Sequence, residues 1–380
     1  MKILHVAETA KGGVGTYLAE LLPLQAQSFG ARNVRMLVPA AHAGHVTGVD
    51  KQMVRCWRRS GRSPLNLLRL ALAIRTEVAR FNPTLVHAHS SFAGAVLRMM
   101  YPSERPFRLV YCPHGWGFDR PSSHAKNRML AMVERALASK CDEIIVISEH
   151  ERSEGLRIGI PHASMSLVLN GISDGPPSLP SHWEDERLKV LFVGRLDRQK
   201  GFDTLLDAVA PLADRICVRA LGEAVADPRK SRTGGEGIQL LGWRSLAEIA
   251  GEIAAADVVV VPSRWEGFGL VALEAMRGSC AVVASDVGGL REIVVDGVTG
   301  RLVPPDAPGR LMEVLSHGDR AYWKRLGKEG RRRFVSFFTA ERMNADLVQV
   351  YLHLESGIAD VPLGPRPLLV REVPRSRRRA

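Results

Sequence analysis

Short apolar runs alternate with helical patterns along this chain, and the alternation starts again after a Pro-rich break near residue 180. Together these features predict an α/β protein of two doubly wound parallel-sheet domains facing across a cleft. At 380 residues, 46% hydrophobic and 24% charged, the chain is long enough to bury two such cores. Parallel strands covered by helices on both faces read as continuous apolar runs, as Ile144-Ile145-Val146-Ile147 and Val258-Val259-Val260-Val261 do.

The first Rossmann-like domain is expected over 1–173, with strands at 2–7, 34–39, 84–88, 107–112 and 143–147. Helical spacing lies between them near 15–28, 64–81, 123–140 and 149–157. Residues 174–187, rich in Pro, Ser and Asp, read as a linker. The second domain is expected over 188–338, with strands at 188–193, 215–220, 257–261 and 281–284. Its helices are expected near 202–211, 245–255, 269–277, 307–316 and 319–335. A last helix over 339–357 is expected to return to the first domain. Residues 358–380, with prolines among arginines, have a composition that buries no core and are expected to be disordered.

Net charge is +12 and unevenly spread. Residues 55–80 hold seven arginines against Glu77, and residues 359–380 hold six against Asp360 and Glu372. A basic balance suits nucleic acid, an anionic membrane or a phosphorylated ligand. No helix-turn-helix, zinc-finger or aromatic RNA-platform pattern is present, so no nucleic-acid partner is expected. No apolar run approaches the roughly 18 residues that span a bilayer, and Met1–Val6 reads as a strand rather than a secretory leader. A cytoplasmic protein is expected. Cys56, Cys112, Cys141, Cys217 and Cys280 are scattered without a Cys-x-x-Cys pair, as reduced thiols are.

Open parallel sheets bind ligands beyond the carboxyl ends of their strands, and the informative residues sit there. The first strand leads into Lys11-Gly12-Gly13-Val14-Gly15, where a glycine turn at a helix start lets backbone N–H groups approach an anion. A tight turn needs glycine in any case, and the spacing is not that of a dinucleotide fingerprint. After strand 107–112 comes His114-Gly115, placed to hydrogen-bond a sugar hydroxyl or a developing charge, or to cap the next helix. His87 and His89 alternate along one strand face without an apparent third ligand, so no metal site is expected. Arg195 and Lys200 lie in a strand-end loop, where a planar fork and a point charge together suit a diphosphate. Glu266, then Gly267-Phe268-Gly269-Leu270, then Glu274 follow strand 257–261. One carboxylate stays in the loop and the other enters the helix. A carboxylate accepts bidentate bonds from a diol, and the N–H groups between them meet phosphate.

These motifs resemble the retaining glycosyltransferases of family four, which have the GT-B fold, and the likeness covers about residues 1–356. The two acids seven residues apart match Glu266 and Glu274. The phosphate-loop cations match Arg195 and Lys200, the early glycine pair matches Gly12 and Gly13, and the His-Gly matches His114. Asn170-Gly171-Ile172 and Val287-Gly288-Gly289 with Glu292 are further points of likeness. Cys280 departs from it, standing where relatives usually carry a proline. The resemblance implies that Arg195 and Lys200 hold a donor diphosphate and Glu274 the ribose, with Glu266 and His114 against the donor sugar. It also implies a retaining hexosyl transfer from a GDP- or UDP-linked sugar to an acceptor hydroxyl, with the nucleotide sugar as co-substrate and neither metal nor other cofactor.

Family habit points further to a polyprenyl-diphosphate-linked glycan acceptor in bacterial exopolysaccharide or lipopolysaccharide assembly. The basic 55–80 segment with Trp57 and its leucines, and the basic tail, are the candidates for holding the protein on the inner face of the cell membrane. The alternatives are a sugar-nucleotide epimerase of the same architecture or a catalytically silent membrane-surface scaffold. The first lacks acids placed to move a ring proton. The second is at odds with a fully populated donor site.

Overall fold

The computed structural model describes residues 1–61, 63–223 and 237–356. The first sheet comprises β1 (Ile3–Ala7), β2 (Val34–Pro39), β3 (Val54–Trp57), β4 (Leu85–His89), β5 (Arg108–Cys112), β6 (Glu143–Val146) and β7 (Met165–Leu167). Its order is β3-β2-β1-β4-β5-β6-β7, parallel throughout. Helices α1 (Gly13–Phe29), α2 (Pro64–Phe81), α3 (Ser91–Met100), α4 (His124–Ala138) and α5 (Glu149–Arg157) cross over between the strands. The second sheet comprises β8 (Leu188–Val193), β9 (Ile216–Leu221), β10 (Ile238–Gly242), β11 (Val258–Val261), β12 (Ala281–Ser285) and β13 (Gly300–Val303). It is also parallel, in the order β10-β9-β8-β11-β12-β13. Its helices are α6 (Phe202–Val209), α7 (Leu246–Ala255), α8 (Leu270–Arg277), α9 (Leu290–Ile293), α10 (Pro308–His317) and α11 (Arg320–Phe337), followed by α12 (Ala340–Ser356).

Burial explains the architecture. Every residue of β1, β4, β11 and β12 is buried, and β-branched side chains fill β11 because both of its faces are covered. Leu70, Ile74 and Leu97 from α2 and α3 close the outer face of the first sheet, and Leu205, Leu206 and Leu311 from α6 and α10 that of the second. A third cluster is shared between the domains, running from Leu18 and Leu21 of α1 through Phe268 and Phe334 to Leu347 and Tyr351 of α12. Helix α12 thus leaves the second sheet and packs on α1, where Asn344 Nδ2 donates to Ser28 Oγ at 3.2 Å. Backbone bonds from Ile172 N to Phe338 O and from Ala340 N to Ile172 O, both 3.0 Å, tie that crossing to the end of the first domain.

Four strands are absent from the sequence reading, namely β3, β7, β10 and β13. These are the edges of the two sheets, and their residues are largely half-buried or exposed, so no continuous apolar run marks them. Helix α3 was not read either. It closes on β5 through Gly94, where a Cβ would lie 2.3 Å from the Tyr111 ring. The five cysteines are free thiols. The tail expected to be disordered at 358–380 lies outside the described residues.

In each sheet the strand order reverses beside the first strand, at β1/β4 and at β8/β11. Crevices open at such switch points, beyond the carboxyl ends of the strands.

Candidate functional site

The loop after β8 is brought against the end of β11 by Gly201, whose φ is +67° and whose Cβ would lie 1.9 Å from the carbonyl oxygen of Pro262. Only glycine allows that approach. It sets Lys200 Nζ 2.5 Å from Glu266 Oε2, which also accepts from Ser263 Oγ at 3.2 Å. Arg195 donates to Gln199 Oε1 at 2.6 Å and pairs with Asp197 Oδ2 at 3.1 Å. Both cations therefore have local partners.

The Glu266–Leu270 turn is held from behind. Phe268 is buried in the shared core, Gly269 takes φ +105° ahead of α8, and a Cβ on Gly288 would lie 1.9 Å from the carbonyl oxygen of Glu266. The backbone of 287–289 thus supports the backbone of 266–268. Glu274 sits one turn into α8, half-buried, and among the described residues nothing hydrogen-bonds its carboxylate. Burial pushes its pKa up to about 7, against the pull of Arg277 and Lys200.

On the facing rim, Gly15 makes the turn into α1, since its Cβ would strike the carbonyl oxygen of Ala10 at 2.2 Å. A Cβ on Gly12 or Gly13 would meet nothing within 4 Å, so their backbone borders open space at the helix start. His114 has φ +52°, a conformation seldom taken by residues other than glycine, and Gly115 has φ +94°. The buried Glu151 clamps this turn by accepting from the N–H groups of Gly115 and, at 3.0 Å, of Ile147. Burial lifts the Glu151 carboxyl to about 7. His114 does not cap the short helix that follows, Gly117–Asp119. Its Nε2 instead turns inward, 2.9 Å from His89 Nδ1, and its ring stands edge-on to Tyr17 with centres 4.6 Å apart.

The two rims meet. A Cβ on Gly115 would lie 3.9 Å from Gly267 Cα. Glu292 of α9 accepts from the N–H groups of Glu149 and His150, each at 2.7 Å, which places a carboxylate on the N-terminus of α5 across the cleft. The structure thus brings together Lys200, Glu266, Gly267 and His114, with Arg195, Phe268 and Gly269 on the same loops and Leu270 and Glu274 on the helix that follows. Gly12 and Gly13 stand at the end of β1 in the other sheet.

Two features escaped the sequence reading. Glu292 follows the Val287-Gly288-Gly289 motif in sequence, but its contact with α5 is evident only from the fold. The third histidine beside His87 and His89 does exist: it is His5, in register with His87 across β1 and β4. Ring nitrogens of these three buried histidines lie within 4.8 Å of one another, near enough to raise the question of a metal ion. Two of them face each other directly. His5 Nδ1 and His89 Nε2 are 3.0 Å apart while their ring centres are 5.3 Å apart, so both nitrogens lie along the line between the rings. Lone pairs converging on one ion would bring the centres closer at that separation. The geometry is that of a hydrogen bond.

The chain also has clear relatives. Residues 12–171 match the glycosyl transferase 4-like domain, and residues 187–317 match glycosyl transferases group 1. Over 367 residues the chain is 30% identical to an uncharacterised 41.2 kDa protein of the cps region of Klebsiella pneumoniae, covering 92% of this chain and 99% of that one. It is 35% identical over 281 residues to an uncharacterised glycosyltransferase of Methanocaldococcus jannaschii, covering 71% and 75%. Among solved structures it is similar to sucrose-phosphate synthase from Thermosynechococcus elongatus, with TM-score 0.80 and 24% identity over 94% of this chain and 100% of that one. Anabaena HepE in complex with UDP gives TM-score 0.77 and 20% identity, also over 94% and 100%. The structural likenesses identify the fold as GT-B. With both halves matched, and with a glycosyltransferase relative aligned over most of its length, the chain belongs to the group 1 glycosyl transferases.

Proposed function

We propose that this chain transfers a hexosyl residue from a UDP- or GDP-linked sugar to a hydroxyl of a lipid-linked glycan, with retention of configuration and without a metal. The observation that carries this reading is the grouping of Lys200, Glu266 and Arg195 at the start of α8, directly across from His114 and Gly115. Breaking the anomeric bond builds negative charge on the leaving diphosphate. Arg195, Lys200 and the N–H groups of residues 267–270 are arranged to meet that charge. A diphosphate on Lys200 frees Glu266 toward the sugar, and Glu274 accepts the ribose diol. The acceptor attacks on the leaving-group face, so no enzyme nucleophile is assigned. That HepE was solved with UDP supports the nucleotide class, and the cps-region relative supports polysaccharide assembly.

The acceptor side has its own support. A cavity at the cleft end of the first sheet is lined by Trp57, Pro64, Leu67, Leu70 and Phe92 together with the polar Glu8, Ser63 and Asn66. It adjoins the exposed Leu65 and Leu68 on α2. The apolar part of this lining, next to exposed leucines, supports a lipid-linked acceptor. The decisive experiment incubates the protein with UDP- and GDP-sugars, in EDTA, with a polyprenyl-diphosphate glycan, and reads the product linkage by NMR. Transfer with the donor's anomeric configuration kept is expected. A strict requirement for manganese, or an inverted product, overturns the mechanism.

A further inference from the structure

Behind His114 a line of buried polar side chains runs away from the cleft. His89 Nδ1 faces His114 Nε2 at 2.9 Å, His5 Nδ1 faces His89 Nε2 at 3.0 Å, and Gln25 Oε1 faces His5 Nε2 at 2.7 Å. Ring centres 5.2 Å and 5.3 Å apart show that both imidazole contacts are in line. Three strands and a helix supply the members: β1, β4, the end of β5, and α1.

Burial keeps these rings neutral. It lowers the pKa of His5 to about 4 and that of His114 to about 3, and holds His89 well below the ordinary histidine value, with the neighbouring imidazoles opposing charge further. A neutral imidazole carries one N–H and one lone pair, so each bond in the line dictates the next. The amide oxygen of Gln25 only accepts, so His5 donates from Nε2 and offers Nδ1. His89 then donates from Nε2 and offers Nδ1, and His114 donates from Nε2. What remains on His114 is Nδ1 with a bare lone pair. The amide itself is oriented from the other side, where Gln25 Nε2 donates to the Tyr351 hydroxyl at 3.4 Å. The Tyr351 hydroxyl in turn lies 2.6 Å from His87 Nδ1. His87 is a branch off this line, and its buried Nε2 has no partner.

We infer that Gln25, through His5 and His89, is a positioning residue that fixes the tautomer of His114, so that His114 meets its ligand as a hydrogen-bond acceptor for a hydroxyl group. The inference rests on the reading that His114 lies against the donor sugar. A reversed amide would turn every bond in the line around and make His114 a donor, so one side chain buried on α1 decides the polarity presented at the cleft.

The test is a two-bond proton–nitrogen NMR correlation on the full chain labelled with ¹⁵N-histidine, with the His114 signals assigned by their loss in His114→Gln. In the wild type, His5, His89 and His114 should each show the neutral Nε2–H form between about pH 6 and pH 8. In Gln25→Met, similar in shape but without an acceptor, His114 should become a mixture of tautomers. KM for the nucleotide sugar should rise by about three- to tenfold, the worth of one hydrogen bond. An Nδ1–H form of His114 in the wild type overturns the inference without any variant. So does an unchanged single Nε2–H form in Gln25→Met. A changed tautomer with an unchanged KM overturns instead the contact of His114 with the donor, and leaves the role of Gln25 intact.

Discussion

Glu274 is under opposing demands at its place on α8. Its carboxyl is pushed up to about 7 by burial, so its charge is unwelcome in the free protein, while the proposed ribose diol would need that charge as an acceptor. A carboxyl whose folded pKa lies above its unfolded value favours the fold at low pH, and the benefit fades as pH rises through about 7. Glu274→Gln does not titrate, so relative to the wild type it should gain stability on going from pH 5 to pH 8. The gain should be on the order of 1–3 kcal/mol by denaturant unfolding. The same variant should bind UDP or GDP more weakly by about tenfold or more. A stability difference independent of pH would show that Glu274 is not the buried group described. Lys200→Ala acts differently. It leaves Glu266 without its cation and, on the proposed mechanism, takes away a positive charge that would face the leaving diphosphate, so turnover should fall about 10²–10³-fold while the protein stays folded by circular dichroism. Arg195, Lys200 and Glu266 sit in loops a few residues from their own strand ends and Glu274 in the helix that follows, so local spacing marks all four in the sequence. It does not mark His5, Gln25 and Tyr351. They meet His89 only through the β1–β4 register and the return of α12, which no local spacing reports.

Elements show the same division between local and non-local information. Central strands announce themselves by apolar runs, whereas β3, β7, β10 and β13 at the sheet edges carry mixed residues and do not. The contact between α9 and α5 joins residues 143 and 142 positions apart, and no pattern in either segment predicts it. It holds the cleft rims together: the Glu292 carboxylate satisfies two N–H groups at the helix start, where the dipole also favours negative charge. Removing it with Glu292→Ala should loosen that closure by about 1–3 kcal/mol, with Glu292→Gln retaining part of the effect. Small-angle scattering should then show a larger radius of gyration for the alanine variant, and KM for the donor should rise. Unchanged scattering and KM would mean that the shared core alone holds the rims.

The molecule as a whole presents one unusual face. No helix among the described residues is long and apolar enough to cross a membrane. Yet α2, α3 and α4 lie side by side with Leu65, Leu68, Leu72, Phe92, Met99, Met129, Met132 and Val133 all exposed. The 55–80 segment is expected to reach a bilayer through its basic residues, Trp57 and its leucines, and for Trp57 the structure differs. Trp57 is buried, and Arg59 donates to Glu8 at 2.7 Å. Arg69 donates to Ser60 Oγ at 2.7 Å, and Arg62 lies outside the described residues. Helix α2 instead turns Leu70 and Ile74 to the core and Leu65, Leu68 and Leu72, at 55%, 56% and 55% exposure, away from it. A membrane-binding surface would therefore span three helices, whose exposed cations include Arg75, Lys126, Arg128 and Arg135, with Arg58 on the loop before α2. Each cation contributes about 1 kcal/mol near anionic headgroups, screened as salt rises, and the leucine and methionine side chains add apolar insertion. Helices α2 and α3 begin at the carboxyl ends of their strands, so this face meets the cleft rim where a lipid-linked acceptor would enter. The full chain should bind anionic liposomes in low salt and neutral ones weakly. Changing Arg58, Lys126 and Arg128 to Glu should release it with nucleotide binding unchanged, and Leu68→Ser with Met132→Ser should weaken binding even in low salt. Arg59→Glu is the wrong probe, because it would set two carboxylates together in a half-buried site. If the wild type ignores anionic liposomes in low salt, the surface is not a membrane contact and a soluble acceptor becomes the better reading.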